Sequence, residues 1–175
     1  MAYYSKIKNV DQIIENISNL KNPKGRFDLI NFKTNKIIVD YAHTPESISQ
    51  VIKYVNPYFS KVVVLFGAGG NRDKEKRKLM GTASQLADSV IVTNDNPRNE
   101  DPIQISNDIL KGCDLSKTTV ILDRKEAITS AINELRENSV LLVLGKGHEM
   151  YQEINNSHIP FNDNDFINET IGGLI

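Results

Sequence analysis

The amino-acid sequence predicts an α/β domain, a mostly parallel sheet flanked by helices, on the strength of two patterns. Short β-branched runs recur along the chain and are continuously apolar rather than alternating, as strands buried on both faces must be. Between them lie longer segments that open at a proline, an acidic residue or a polar cap, as helices do. With 175 residues and 39% hydrophobic content, the chain can build one packed core, whereas two would be cramped.

Along the chain, Ile13, Ile14, Ile17 and Leu20 recur at helical spacing until Asn22-Pro23-Lys24-Gly25 breaks the pattern. Residues 1–25 therefore read as a lead-in helix and hinge, and residues 26–175 as the domain proper. Residues 27–32 and 36–39 flank Lys33-Thr34-Asn35 and predict an opening hairpin. Doubly buried strands are expected over 37–39, 62–66, 90–93, 118–122 and 140–144, with helices over 45–55, 74–87, 102–110 and 124–135. Such alternation implies right-handed crossovers, with ligands gathering at the carboxyl ends of the strands. No Lys or Arg follows Lys146, so the tail is acidic, and Asn155-Asn156 marks a hairpin within it.

Charge and cysteine content narrow the function. Lys plus Arg number 21 and Asp plus Glu 22, so the net charge of -1 supplies no positive field for nucleic acid or an anionic membrane. The lone Cys113 excludes a disulfide framework and a CxxC metal site. The apolar runs are too short to span a bilayer, and the N-terminal residues lack an export signal, so a soluble, cytoplasmic protein is expected.

Four clusters at the predicted strand ends can carry chemistry. In Asp40-Tyr41-Ala42-His43-Thr44-Pro45, Thr44 caps a helix whose N-terminus attracts anions; His43 and Asp40 either contact a phosphate there or merely close the turn. Gly67-Ala68-Gly69-Gly70-Asn71-Arg72 begins like a dinucleotide fingerprint, but Arg72 stands at the third glycine's position, so that cofactor fits poorly. The five cations from Arg72 to Lys78 suit a solvated helix face, except Arg72, which precedes the helix and suits a carboxylate or phosphate. Asn94-Asp95-Asn96-Pro97-Arg98 is either a surface turn or a rigid loop on which Arg98 grips a carboxylate through two hydrogen bonds. In Gly145-Lys146-Gly147-His148-Glu149, Glu149 and a glycine carbonyl suit an ammonium group, or the segment is a left-handed glycine turn. His148 and His158 lack ligand-spaced partners for zinc, and GxxxxGK[ST] occurs nowhere.

Taken in order, Gly25-Arg26-Phe27-Asp28, DYAHTP at 40–45, GAGGNRDKEKR at 67–77, DNPR at 95–98 and GKGHE at 145–149 resemble the C-terminal domain of the Mur ligases, nearest the diaminopimelate-adding type. The resemblance runs from Gly25 onward and implies a Rossmann-like, mostly parallel sheet flanked by helices. It implies a part in peptidoglycan synthesis, with ATP and magnesium needed by the full enzyme and none held by this chain alone. By resemblance, Arg26, Asp40 and His43 face the nucleotide. Arg72, Asp95, Asn96, Arg98, Gly145 and Glu149 hold the far end of meso-diaminopimelate, and no residue of this chain is catalytic or a metal ligand. ATP and the UDP-N-acetylmuramoyl-dipeptide belong to the family's other domains, so no ligase turnover is expected from this chain alone. Two alternatives are an amino-acid-binding module without catalysis and a domain of a folylpolyglutamate or cyanophycin synthetase. DNPR with GKGHE argues against the second.

Overall fold

In the computed structural model, which describes residues 23–174, the chain runs β1 (Asp28–Phe32), β2 (Asn35–Asp40), α1 (Pro45–Val55), a 3-10 turn (Asn56–Tyr58), β3 (Lys61–Phe66), α2 (Glu75–Ser84) and β4 (Ser89–Val92). It continues through α3 (Pro102–Leu110), β5 (Thr118–Val120), α4 (Arg124–Asn133), β6 (Ser139–Leu144), β7 (Tyr151–Ile154), β8 (Ser157–Pro160) and α5 (Asp163–Gly172). The lead-in helix expected around Ile13 to Leu20 lies outside the described residues.

Six strands form one sheet in the order β1-β2-β6-β3-β4-β5; β1 pairs antiparallel with β2, and every other pairing is parallel. The apolar runs are explained by a core on each face. From β3, Val62, Val64 and Phe66 pack under α1, α2 and α3 with Ile48, Ile52, Met80 and Ile109. Val63 and Leu65 turn the other way, toward α4 and α5 with Ile128, Ile132 and Ile167. β6 is buried at all six positions, and each large aliphatic side chain so enclosed stabilises the fold by roughly 1.5–3 kcal/mol.

Helix starts follow the predicted chemistry. Thr44 accepts a hydrogen bond from the Ser47 N–H, the Ser47 hydroxyl accepts from the Thr44 N–H, and Pro45 opens the helix. Asp101 and Asp123 cap α3 and α4 through their carboxylates, which accept from the Ile103 and Glu126 N–H groups. Two expectations need correction. The strand expected over 118–122 is not buried on both faces: β5 stops at Val120, stands at the sheet edge with one neighbour, and exposes Thr119 and Val120. The acidic tail is not only a hairpin. Asn162 caps α5 through the Asp165 N–H, and Ile167 and Ile171, four apart, bury one face of it. No described helix is long and apolar enough to cross a membrane.

Because β2, β3, β4 and β6 are parallel, the loops after Asp40, Phe66, Val92 and Leu144 all emerge at one rim.

Candidate functional site

A cavity of about 360 Å3 opens at that rim, and its wall is made by those four loops and the first turns of α2. One side is the glycine loop after β3. A Cβ on Gly70 would collide with the Pro97 carbonyl, so at that position only glycine lets this loop close against the next, while Gly69 packs beside the Arg98 guanidinium. Arg77 braces it from below. Almost wholly buried, it donates from Nη1 and Nη2 to the two Glu100 oxygens at 2.8 and 2.7 Å, reaches Asp108 at 3.1 Å, and touches the Gly69 carbonyl at 3.3 Å. Glu100 also accepts from the Asn71 N–H. The Arg77 hydrogen bonds hold the Glu100 carboxyl well below the usual carboxylate range despite its partial desolvation. Arg72, exposed, stands at the end of this loop on the cavity wall.

The loop after β4 supplies Asp95, Asn96 and Arg98. Arg98 adopts a left-handed backbone (φ 54°), costly for a residue with a side chain and held here by three contacts. Its N–H donates to the Glu153 carbonyl at 2.9 Å, its Nη1 to the Gly70 carbonyl at 2.8 Å, and its Nε pairs with Glu153 Oε2 at 2.9 Å. Thus the β7–β8 ribbon and the glycine loop grip Arg98 from two sides, and its remaining guanidinium edge borders the cavity. Asp95 is 9% exposed and lines the same space, yet no donor among the described residues reaches its carboxylate. Burial pushes the Asp95 carboxyl up, against the opposing pull of Arg124 and Lys146.

Past β6, Gly145 (φ 110°) brings the chain against Asp95: a Cβ there would sit 2.6 Å from Asp95 Oδ2. Lys146 is fully buried. Its ammonium donates to Asn96 Oδ1 at 3.0 Å, Glu149 Oε2 at 2.8 Å and the Tyr151 carbonyl at 2.7 Å. Asn96 Nδ2 donates to the same Glu149 oxygen at 2.8 Å, while Asn96 Oδ1 also accepts from the Glu153 N–H at 3.0 Å. Burial alone would push the Glu149 carboxyl up, but Lys146, Asn96 and Arg98 together hold it below its ordinary value.

The cavity therefore brings together Arg72, Asp95, Asn96, Arg98, Gly145 and Glu149, with His43 at its edge. Arg26 and Asp40 are not in its wall. The Arg26 guanidinium lies 4.5 Å from the centre of the Tyr41 ring, and that ring meets His43 edge-on at 4.6 Å. Asp40 spends its carboxylate on backbone, Oδ2 accepting from the Phe27 N–H and Oδ1 from the Ala42 N–H, both at 2.8 Å. It ties the DYAHTP turn to the turn at Gly25. Sequence reasoning missed Arg77, Lys146 and Glu153. Arg77 was hidden in a run of cations, and only its spacing from Met80 and Ser84, also on the buried face of α2, could have separated it.

The family described as "Mur ligase, glutamate ligase domain" matches residues 25–147. The chain belongs to the Mur ligase family. A relative from Rickettsia prowazekii, named UDP-N-acetylmuramoyl-L-alanyl-D-glutamate–2,6-diaminopimelate ligase, is 46% identical over 169 residues, covering 94% of this chain and 35% of its own length. A solved structure of a ligase of that name superposes with a TM-score of 0.83 at 36% identity, over 95% of this chain and 35% of the other. Mycobacterium tuberculosis folylpolyglutamate synthase superposes with a TM-score of 0.65 at 18% identity, covering 82% of this chain and 34% of the other, a likeness of fold alone. The chain thus spans about a third of the length of the relatives it matches.

Proposed function

We propose that this chain is the amino-acid-binding, C-terminal part of an ATP-dependent ligase that adds meso-diaminopimelate to UDP-N-acetylmuramoyl-L-alanyl-D-glutamate in peptidoglycan synthesis. In this reading residues 1–25 link it to a preceding domain and residues 26–175 form the Mur ligase C-terminal domain. One observation carries the reading: Asp95, a buried carboxylate without a donor among the described residues, shares a cavity with the guanidiniums of Arg72 and Arg98. A buried acid so placed calls for a cation, and two guanidiniums bordering the same cavity call for a carboxylate. The far end of meso-diaminopimelate carries both. Asp95, Glu149 and the Gly145 carbonyl would take its ammonium; Arg72 and Arg98 would take its carboxylate, beside Asn96.

When bound, ATP with magnesium would supply the phosphoryl leaving group that makes the acceptor carboxylate electrophilic. Of the residues matched to the nucleotide, Arg26 and His43 have side-chain nitrogens without a hydrogen-bond partner among the described residues: the Arg26 guanidinium lies over the Tyr41 ring, and His43 engages the Tyr41 carbonyl through Nδ1 alone, at 2.8 Å. Asp40 contributes by fixing the turn that presents them. In this reading magnesium would be held by the rest of the longer ligase together with the nucleotide phosphates. The work of this chain is to orient the incoming amino acid so that its near amine meets the activated carboxyl. With no P-loop in the sequence, the chain alone should not turn over.

L-Lysine has no far carboxylate and would leave the cavity-facing edges of both guanidiniums without a ligand oxygen. Loss of polar contacts that a site was built to make can cost roughly four to five decades of discrimination. Calorimetric titration of the chain should give saturable binding of meso-diaminopimelate and far weaker binding of L-lysine, and Arg98→Ala should erase the difference. Equal or tighter binding of L-lysine to the unaltered chain defeats the proposal.

A further inference from the structure

Lys146 sits between two glycines at the end of a buried strand, the place where a lysine commonly meets a phosphate or a carboxylate. Here it cannot. Its ammonium has three hydrogens and three acceptors, Asn96 Oδ1, Glu149 Oε2 and the Tyr151 carbonyl, and the side chain has no solvent exposure. Nothing remains for a ligand. The consequence falls on Glu149. Its Oε2 is occupied twice, by Lys146 and by Asn96 Nδ2, whereas no donor among the described residues meets Oε1, and the side chain is one quarter exposed at the cavity.

We propose that Lys146 is a positioning residue for ammonium recognition: it locks one oxygen of Glu149, helps fix Asn96 in the same stroke, and leaves Oε1 as the Glu149 oxygen offered to the substrate beside Asp95 and the Gly145 carbonyl. This rests on the amino-acid-binding reading above and names the device that aims its acidic side. Physical cause and geometry agree. A buried ammonium with complete hydrogen bonding is a fixed internal counter-ion, so Glu149 stays ionised and oriented in the empty site and need not rearrange when a ligand arrives. An apolar side chain of the same length would fill the space but remove one of the two donors on Asn96 Oδ1 and one of the two on Glu149 Oε2. The charged groups around Glu149 are Lys146 on its own loop, Arg98 and Asp95 on the loop after β4, and Arg124 on α4. Of these only Lys146 makes a direct bond to it.

The test uses the 175-residue chain and two independent readouts. In carboxyl-carbon NMR, Lys146→Met should raise the pH at which Glu149 titrates. In the variant Glu149→Gln, the Lys146 ammonium protons should exchange with water faster than in the unaltered chain, and this second measurement stands even if Lys146→Met does not fold. In calorimetry with meso-diaminopimelate, Lys146→Met should weaken binding about ten- to a hundredfold, the effect of removing one charge-assisted hydrogen bond. The same change made in the Glu149→Gln background should add little, because Lys146 acts through Glu149. Unchanged Glu149 titration in a folded Lys146→Met chain, unchanged ammonium exchange in Glu149→Gln, or an equal loss of affinity in both backgrounds overturns the assignment. Absence of meso-diaminopimelate binding to the unaltered chain would instead defeat the substrate reading, and the NMR measurements would still decide the role of Lys146.

Discussion

Two buried ion clusters lie under the same rim and differ in one respect. Arg124 and Asp163 close on each other: Nε donates to Oδ1 and Nη2 to Oδ2, both at 2.8 Å, with Arg124 also donating to the Leu144 and Asn94 carbonyls. Both side chains are fully buried. Around Lys146 and Glu149 the bonding stops one oxygen short, and next to it Asp95 has no donor among the described residues. Both clusters hold strand ends in place. Only the second has capacity left over, and that surplus is what separates a site from a brace.

The comparison is broken most forcefully at the closed pair. Asp163→Ala strands the Arg124 charge in the interior and should lower unfolding stability by about 3–5 kcal/mol, read as a fall in the urea midpoint. A loss no larger than that of an ordinary surface substitution would mean the pair is not closed.

Asp95→Asn sharpens the other half. The carboxyl of Asp95 is raised by burial, so folding disfavours its charged form. The cost is fully present above its folded pKa and vanishes below its unfolded one, and stability contributed by this group falls as pH rises through that window. The amide should therefore raise the melting temperature at neutral pH, with the gain fading in acid, while weakening meso-diaminopimelate binding. Gain in stability with loss of affinity is the signature of an acid kept for a ligand; loss of both would place Asp95 among the braces.

The smallest effect belongs to Lys74, whose contact with Glu100 at 3.2 Å is 64% exposed on the lysine side. Glu100 already has Arg77. Lys74→Ala should change stability by less than about 0.5 kcal/mol and leave binding untouched. A larger shift would show that the glycine loop depends on its outer cation as well as its inner one.

Much of the fold was legible because its signals are local. Helix starts at Pro45 and Pro102 are carried by neighbouring residues, Thr44 and Asp101, and agree with the coordinates to the residue. The strands over Val62 to Phe66 and Val140 to Leu144 announce their burial by lacking polar alternation. β5 misled because Thr118 to Leu122 has the composition of an inner strand, and no local feature says that nothing pairs with its far side. In the tail, acidic residues outnumber the apolar ones that bury α5, and those are legible only as Ile167 and Ile171 four apart.

The sequence by itself determined that the fold is α/β, where most strands and helices lie, and which clusters could carry chemistry, because capping, apolar continuity and turn geometry are decided within a few residues. Only the tertiary structure decided which charges face the cavity and which face one another. Arg72 and Arg77 stand five apart, and Lys146 and Glu149 three apart; in each pair one is buried against fixed partners and the other keeps exposed surface at the cavity. That difference arises from partners 20 to 50 residues away, Glu100 for Arg77 and Asn96 for Lys146, which come within hydrogen-bond reach only when parallel strands deliver their loops to one rim.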